Sequence, residues 1–185
     1  MQSTTPNLGE TCATCAFLLK EENGVTKFYL AQKKRDVHKN SGEALAESAI
    51  WNGYGGKWDI LDETILDTAI RELKDESGVI AKKEDLIEVA HVNFFWPGNT
   101  TEGRDMEVTF YLLKKYQGVP IETEEMGEPG LFSVEDAPYA NMLPADELII
   151  RNIMSNKNVV GRIYFAKKDG KTVIDKTRLV MRDSL

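Results

Sequence analysis

The chain has 185 residues, 42% of them hydrophobic and 29% charged, with a formal net charge of −7. That size and balance suit one soluble globular domain with a real hydrophobic core. The acidic total argues against a nucleic-acid polymer as the main ligand, since such binders usually carry a basic surface that displaces counterions. No apolar run approaches the roughly 20 residues needed to span a bilayer. Met1–Asn7 lack the basic start and apolar stretch of a signal peptide, so the cytoplasm is the expected location and no membrane partner is expected. An acidic protein can still bind a small polyphosphate when metal ions bridge the two negative partners.

Residues 1–10 read as a flexible tail ahead of a single domain, 11–185. A strand is predicted from about Thr14 to Lys20, then a turn at Asn23-Gly24 and a second strand around Lys27–Lys33. Cys12 and Cys15 form a Cys-x-x-Cys pair, which reads either as a redox or half-zinc motif or as two small residues of that strand. The strand reading is preferred, because neither His38 nor His91 stands at a finger-like spacing. The polar, Gly-containing run 34–50 reads as a long loop, with an insertion at 36–50. After Gly53-Tyr54-Gly55-Gly56 comes a helix from about Ile65 to Ser77, with Thr64 as N-cap and Gly78 as terminator. Strands near Leu86–Trp96 and Asp105–Leu113 flank a loop at Pro97-Gly98-Asn99. A short strand at Leu131–Val134 precedes a second helix at Ala145–Met154. A final hairpin, Arg162–Ala166 and Thr172–Val180, turns at Asp169-Gly170. This order predicts an α+β fold with a mixed sheet between helices.

The first helix carries the chemistry. Leu66, Ala69, Ile70 and Leu73 recur at i, i+3, i+4 and i+7 and form its buried stripe. Glu72 and Glu76 then lie about 40° apart on one flank, with Asp75 nearer solvent. Two glutamates at i, i+4 repel by a few tenths of a kcal/mol. A divalent cation between them turns that cost into binding, and Mg²⁺ prefers carboxylate oxygens with waters and phosphates completing its shell.

The run Gly56…Glu63-x₇-Arg71-Glu72-Leu73-x-Asp75-Glu76-x-Gly78-Val79 resembles the Nudix box, G-x₅-E-x₇-R-E-U-x-E-E-x-G-U, where U is aliphatic. Two departures stand out. Six residues separate Gly56 from Glu63, with Asp62 where the family often has glycine, and Asp75 replaces a glutamate. The resemblance implies the Nudix fold and a hydrolase of phosphate anhydrides. It implies Mg²⁺, with Mn²⁺ able to substitute, held by Glu72, Glu76 and the Gly55 carbonyl. It also implies that Arg71 orients Glu63 and that Glu76 polarises the attacking water.

Looser similarity over about residues 14–182 points to the MutT-homologue branch of that family, whose animal members hydrolyse oxidised purine nucleoside triphosphates. The similar stretches are Gln32-Lys33-Lys34-Arg35, Trp51–Lys57, Glu125-Met126, Phe132 through Asp146 and the final hairpin. By position, Asn52 and Asp146 would recognise the base, and Phe94, Trp96, Met106 and Leu143 would wall the pocket. Lys33 would border it, and Glu125 would add a metal ligand or base. Where the branch has Trp-Pro-Asp-Asp this chain has Leu143-Pro144-Ala145-Asp146. It therefore lacks one aspartate and a stacking ring, and a lone carboxylate adapts less readily to different base edges than a pair sharing a proton. Taken alone, Asn52-Gly53 also reads as a turn, Trp96 as core and Asp146 as a helix cap.

The implied reaction releases pyrophosphate and a monophosphate from an oxidised or ordinary purine nucleoside triphosphate, a nucleotide-pool sanitation activity of a monomer or homodimer. The alternatives are a Nudix hydrolase of ADP-ribose or a nucleotide sugar, a Nudix-like domain that binds without cleaving, and a redox or zinc module on Cys12 and Cys15.

Overall fold

The computed structural model describes residues 11–34, 50–97 and 105–183. The tail at 1–10, nearly all of the 36–50 insertion, and Gly98-Asn99 lie outside them. The strands are β1 (Thr11–Glu22), β2 (Val25–Gln32), β3 (Trp51–Asn52), β4 (Ile87–Phe95), β5 (Met106–Leu113), β6 (Gly130–Phe132), β7 (Lys157–Lys168) and β8 (Lys171–Asp183). Helix α1 spans Ile65–Ser77 and α2 spans Asp146–Met154. They build a mixed sheet in the order β3-β2-β1-β5-β4-β7-β8, with β6 pairing to β2. The β1–β5 and β4–β7 pairs are parallel, and the remaining pairs are antiparallel.

Strand β1 shows why the sheet lies between helices. Ala13, Cys15, Phe17 and Leu19 enter one core with Phe28, Phe110 and the α2 residues Ile149, Ile150 and Ile153. Ala16 and Leu18 enter a second core with Tyr54, Tyr111 and the α1 residues Ala69 and Leu73. A strand buried on both faces reads as a continuous apolar run, as this one does. Cys12 and Cys15, three apart on a pleated strand, point to opposite sides of the sheet, and no disulfide joins them. That geometry fits two strand residues rather than a dithiol pair.

Turn chemistry sets the two hairpins. Asn23-Gly24 (φ 54° and 77°) and Asp169-Gly170 (φ 50° and 76°) both take left-handed backbone, matching the twist of the strands they join. The last hairpin runs five and three residues beyond the predicted limits at its open end, and two and one at its turn, because ladder bonds along β7 and β8 override the poor strand preference of Gly161 and the flanking charges. Helix α1 begins and ends at the predicted caps. Thr64 and Asp67 exchange bonds in a capping box, and Gly78 (φ 71°) donates to the Lys74 carbonyl at 2.8 Å. Neither described helix is long and apolar enough to cross a membrane.

Candidate active site

The carboxylates of α1 meet the segment Tyr54–Gly56. This extended run bonds to β1 through Tyr54 and Gly56, from Ala16 N–H to the Tyr54 carbonyl at 2.7 Å and from Thr14 N–H to the Gly56 carbonyl at 2.9 Å. Alternation then turns Gly55 the other way, and its N–H donates to Glu76 Oε2 at 2.7 Å. A Cβ on Gly55 would lie 2.1 Å from the Thr14 carbonyl oxygen, and one on Gly56 would lie 2.5 Å from the Glu72 carboxyl carbon. At Gly55 the strand backbone leaves no room for a side chain, and at Gly56 a side chain would displace the Glu72 carboxylate.

Glu76 is therefore more enclosed than its helical position implies, only 1% exposed, with Thr68 and Ser77 joining it on the buried side of α1. Lys33 Nζ donates to Glu76 Oε1 at 3.1 Å. Burial pushes the Glu76 carboxyl above its ordinary value, against the opposing pull of Lys33 and of the Gly55 N–H. Desolvation works to lower the Lys33 ammonium, but the fields of Glu76, Glu125 and Glu72 outweigh it and raise it. Three of the anticipated carboxylates thus converge electrostatically on one cation. Glu125 itself is exposed, carried by a loop whose Thr123 hydroxyl donates to the Glu76 carbonyl at 3.3 Å.

The anticipated Arg71–Glu63 pair does not form. Arg71 Nε and Nη2 fork onto Asp62 at 3.1 and 2.8 Å, while Nη1 donates to Glu72 Oε1 at 2.7 Å. Asp62 also accepts from the Thr68 hydroxyl at 2.9 Å and the Asp59 N–H at 3.1 Å. Arg71 foremost, with Asp59 and Thr68, pulls its carboxyl down to about 2 against the opposing effect of burial. Glu63 precedes the N-cap and is exposed. Counting forward from Gly56, five residues lead to Asp62, so the extra residue falls after the buried acid and not before it. A bidentate carboxylate–guanidinium fork fixes Arg71, and Arg71 fixes Glu72.

Beside this site a cavity of about 220 Å³ is lined by all seven residues assigned to substrate: Lys33, Asn52, Phe94, Trp96, Met106, Leu143 and Asp146. Its apolar wall is a ring cluster. Trp96 stacks on Phe165 at 4.3 Å between centroids, and Phe94 packs against Phe165 at 5.9 Å and Phe110 at 6.4 Å. Trp96 is thus anchored in the core and also faces the cavity. Asn52 belongs to β3, in register with Ala31, and so is not in a turn. Asp146 is the first residue of α2; its Oδ2 accepts from the Leu143 N–H at 2.9 Å and closes the turn before the helix. Burial pushes its carboxyl up to about 7, with the Leu143 N–H opposing.

Sequence reasoning missed Thr14. Its hydroxyl is buried without a hydrogen-bond partner among the described residues, and the residue lines the cavity. A buried orphan hydroxyl costs roughly 1–3 kcal/mol unless something bonds it. Its parity in β1 groups it with Ala16 and Leu18, away from the cavity's apolar wall, so no sequence signal marked it.

Among the described residues, no three His, Cys, Asp or Glu side chains are gathered to hold a metal ion by themselves. Glu72, Glu76, Glu125 and the Gly55 carbonyl are nonetheless all hard oxygen donors. A cation that uses one or two carboxylates plus phosphates and water needs no complete protein cage.

The box helix, set against a mixed sheet with an apolar cavity at its flank, belongs to a hydrolase of phosphoric anhydrides, as the family match and the mouse relative show. Residues 11–153 match the model of the NUDIX domain, and the chain belongs to that family. The mouse protein called oxidized purine nucleoside triphosphate hydrolase is 34% identical over 119 residues, 64% of this chain and 72% of that protein. The crystal structure of the MutT protein from Bacillus halodurans superposes with a TM-score of 0.68 at 16% identity, covering 91% of this chain and 97% of that one. The NUDIX domain of Shewanella oneidensis NrtR, solved with ADP ribose, gives 0.55 at 17% identity over 76% of this chain and 83% of that one. Both structures speak for the fold.

Proposed function

We propose that the protein hydrolyses a purine nucleoside triphosphate, oxidised at the base or ordinary, to the monophosphate and pyrophosphate, with Mg²⁺ as cofactor. The supporting observation is the contiguity of cavity and carboxylates. Gly55 and Gly56 line the cavity and also touch Glu76 and Glu72, and Lys33 does both as well. A base seated in the cavity would bring its phosphates to the helix. The volume is below the roughly 300–1,000 Å³ of sites that enclose a whole drug-sized ligand, which suits a base with its phosphates outside.

Glu72 and Glu76 would hold the cation, with Gly55 and Glu125 completing its protein ligands. Bound Mg²⁺ would neutralise phosphate charge and stabilise the leaving group. Lys33 adds a second positive charge at the boundary between base and phosphates. Glu76, enclosed and raised, is the group to accept a proton from the attacking water. Asp62 and Arg71 keep Glu72 aimed. In the cavity Asp146, balanced near neutrality, donates an O–H when protonated and only accepts when ionised, while the Asn52 amide does both. One carboxyl can therefore serve different purine edges, regaining some of the latitude lost with the second aspartate.

The test is hydrolysis of a panel containing 8-oxo-dGTP, 2-hydroxy-dATP, dGTP, dATP, ADP-ribose and a nucleotide sugar, with and without Mg²⁺, resolving pyrophosphate from phosphate. Pyrophosphate from a purine triphosphate, lost in Glu76→Gln, is the expected result. Cleavage of ADP-ribose or the sugar alone would replace the triphosphate reading with the dinucleotide one. Nucleotide binding without turnover of any compound would sink the hydrolytic reading.

A further inference from the structure

Neither described helix covers β4, β7 and β8 on the sheet face that carries α1 over β1, since α2 packs on the opposite face through Ile149, Ile150 and Ile153. Val160 and Val180, opposite each other on this side, are 52% and 54% exposed. The charge here differs from the rest of the molecule. Lys157–Asp183 hold eight Lys and Arg against three Asp, a net of +5, leaving −12 on the remainder of a chain whose total is −7.

Four of these cations, Arg162, Lys176, Arg178 and Arg182, share one face. Arg162 stands directly opposite Arg178, Tyr164 opposite Lys176, and Asn158 opposite Arg182. Like charges directly opposed across strands are destabilising. Among the described residues no carboxylate ion-pairs with Arg162, Lys176, Arg178 or Arg182. Glu107 on β5 is engaged by His91 Nε2 at 3.0 Å, two strands from Arg162. Beside the cations, Phe95 and Tyr164, neighbours across β4 and β7, stack at 4.8 Å with 14° between their planes, and both are partly exposed.

We propose that this face of β4, β7 and β8 binds single-stranded nucleic acid. Cations without a carboxylate partner among the described residues, flanking partly exposed rings, are the parts such binding uses: charge tracks the phosphates and rings stack on bases without reading sequence. A phosphate between Arg162 and Arg178 turns their repulsion into attraction. An anionic lipid surface would use the same charges, but the hairpin tip, Lys167-Lys168-Asp169-Gly170-Lys171, offers no apolar residue to insert. The face shares no lining residue with the base cavity, so the two sites are independent.

The experiment is fluorescence anisotropy of labelled (dT)15 and U15 with the full chain in chelator, across a salt series, in the presence of saturating dGTP. Vesicles containing phosphatidylserine form a parallel arm. Three to four phosphate contacts predict a slope of log affinity against log salt of about −2 to −3. Arg162→Gln with Arg178→Gln should cut that slope by about 1.4 and weaken binding at least tenfold, while raising thermal stability slightly and leaving nucleotide hydrolysis unchanged. Tyr164→Leu should weaken binding about fivefold or more with little change in slope. Oligonucleotide binding that ignores these substitutions would overturn the proposal. So would capture of vesicles without oligonucleotides, or salt-sensitive self-association of the chain in sedimentation with no oligonucleotide bound.

Discussion

Asp62, Arg71, Glu72 and Glu76 come from one continuous run of chain, whereas the cavity beside them draws its lining from six separated stretches. The first arrangement depends on helical spacing and one loop. The second depends on strand register, where a one-residue slip would turn each lining side chain to the opposite face. Substitutions at the helix should therefore remove chemistry and spare recognition, and substitutions in the cavity should do the reverse.

The largest effect tests the helical half. Glu76→Gln is expected to lower kcat by roughly 10²- to 10⁴-fold while leaving the affinity for a purine nucleotide, measured by calorimetry, nearly unchanged. An equal loss of affinity would break the division between the two regions.

The next effect tests the cavity. Asn52→Ala or Asp146→Asn should raise KM for a purine triphosphate about 10- to 100-fold, the worth of one buried polar contact, with a smaller change in kcat. The raised carboxyl of Asp146 also gives a pH signature. Its folded value near 7 lies above the ordinary 3.8, so the neutral form is favoured on folding. That contribution is full below about pH 4 and is lost as pH rises through 7. Asp146→Asn should accordingly gain thermal stability over the parent above pH 7, with the difference narrowing toward pH 4. The KM of the parent should change across pH 7, and that of the variant should not.

A smaller effect separates two adjacent acids. Asp62→Asn should cost about 1–3 kcal/mol, less than a fully buried pair because Arg71 is partly solvated, and should lower activity by releasing Arg71. Glu63→Gln should leave both melting and turnover unchanged. Asp62, depressed to about 2, stabilises the fold above its ordinary 3.8, and that stability is lost as pH falls through 2. The smallest effect is local to the helix start: Thr64→Ala removes the cap for about 1 kcal/mol. It should move Tm by roughly 2–4 °C and leave substrate ranking alone.

Much of this protein was written locally. The caps of α1, both left-handed hairpin turns and the i, i+4 carboxylates follow from residues within one turn of each other, where backbone sterics and helical geometry leave few alternatives. Resemblance also named seven residues that the structure gathers around one cavity, before any register was known. Tertiary structure decided the rest. It selected Asp62 over Glu63 as the partner of Arg71, because the arginine sees which acid the 57–62 loop folds inward, and neighbouring positions look equivalent in the sequence. It buried Glu76 beneath Gly55 and raised Asp146, since desolvation depends on what packs overhead. It also placed Arg162, Lys176, Arg178 and Arg182 together on one face of β7 and β8. A net charge of −7 is a sum over the chain and carries no information about where in space its terms fall, and only the pairing of strands provides that.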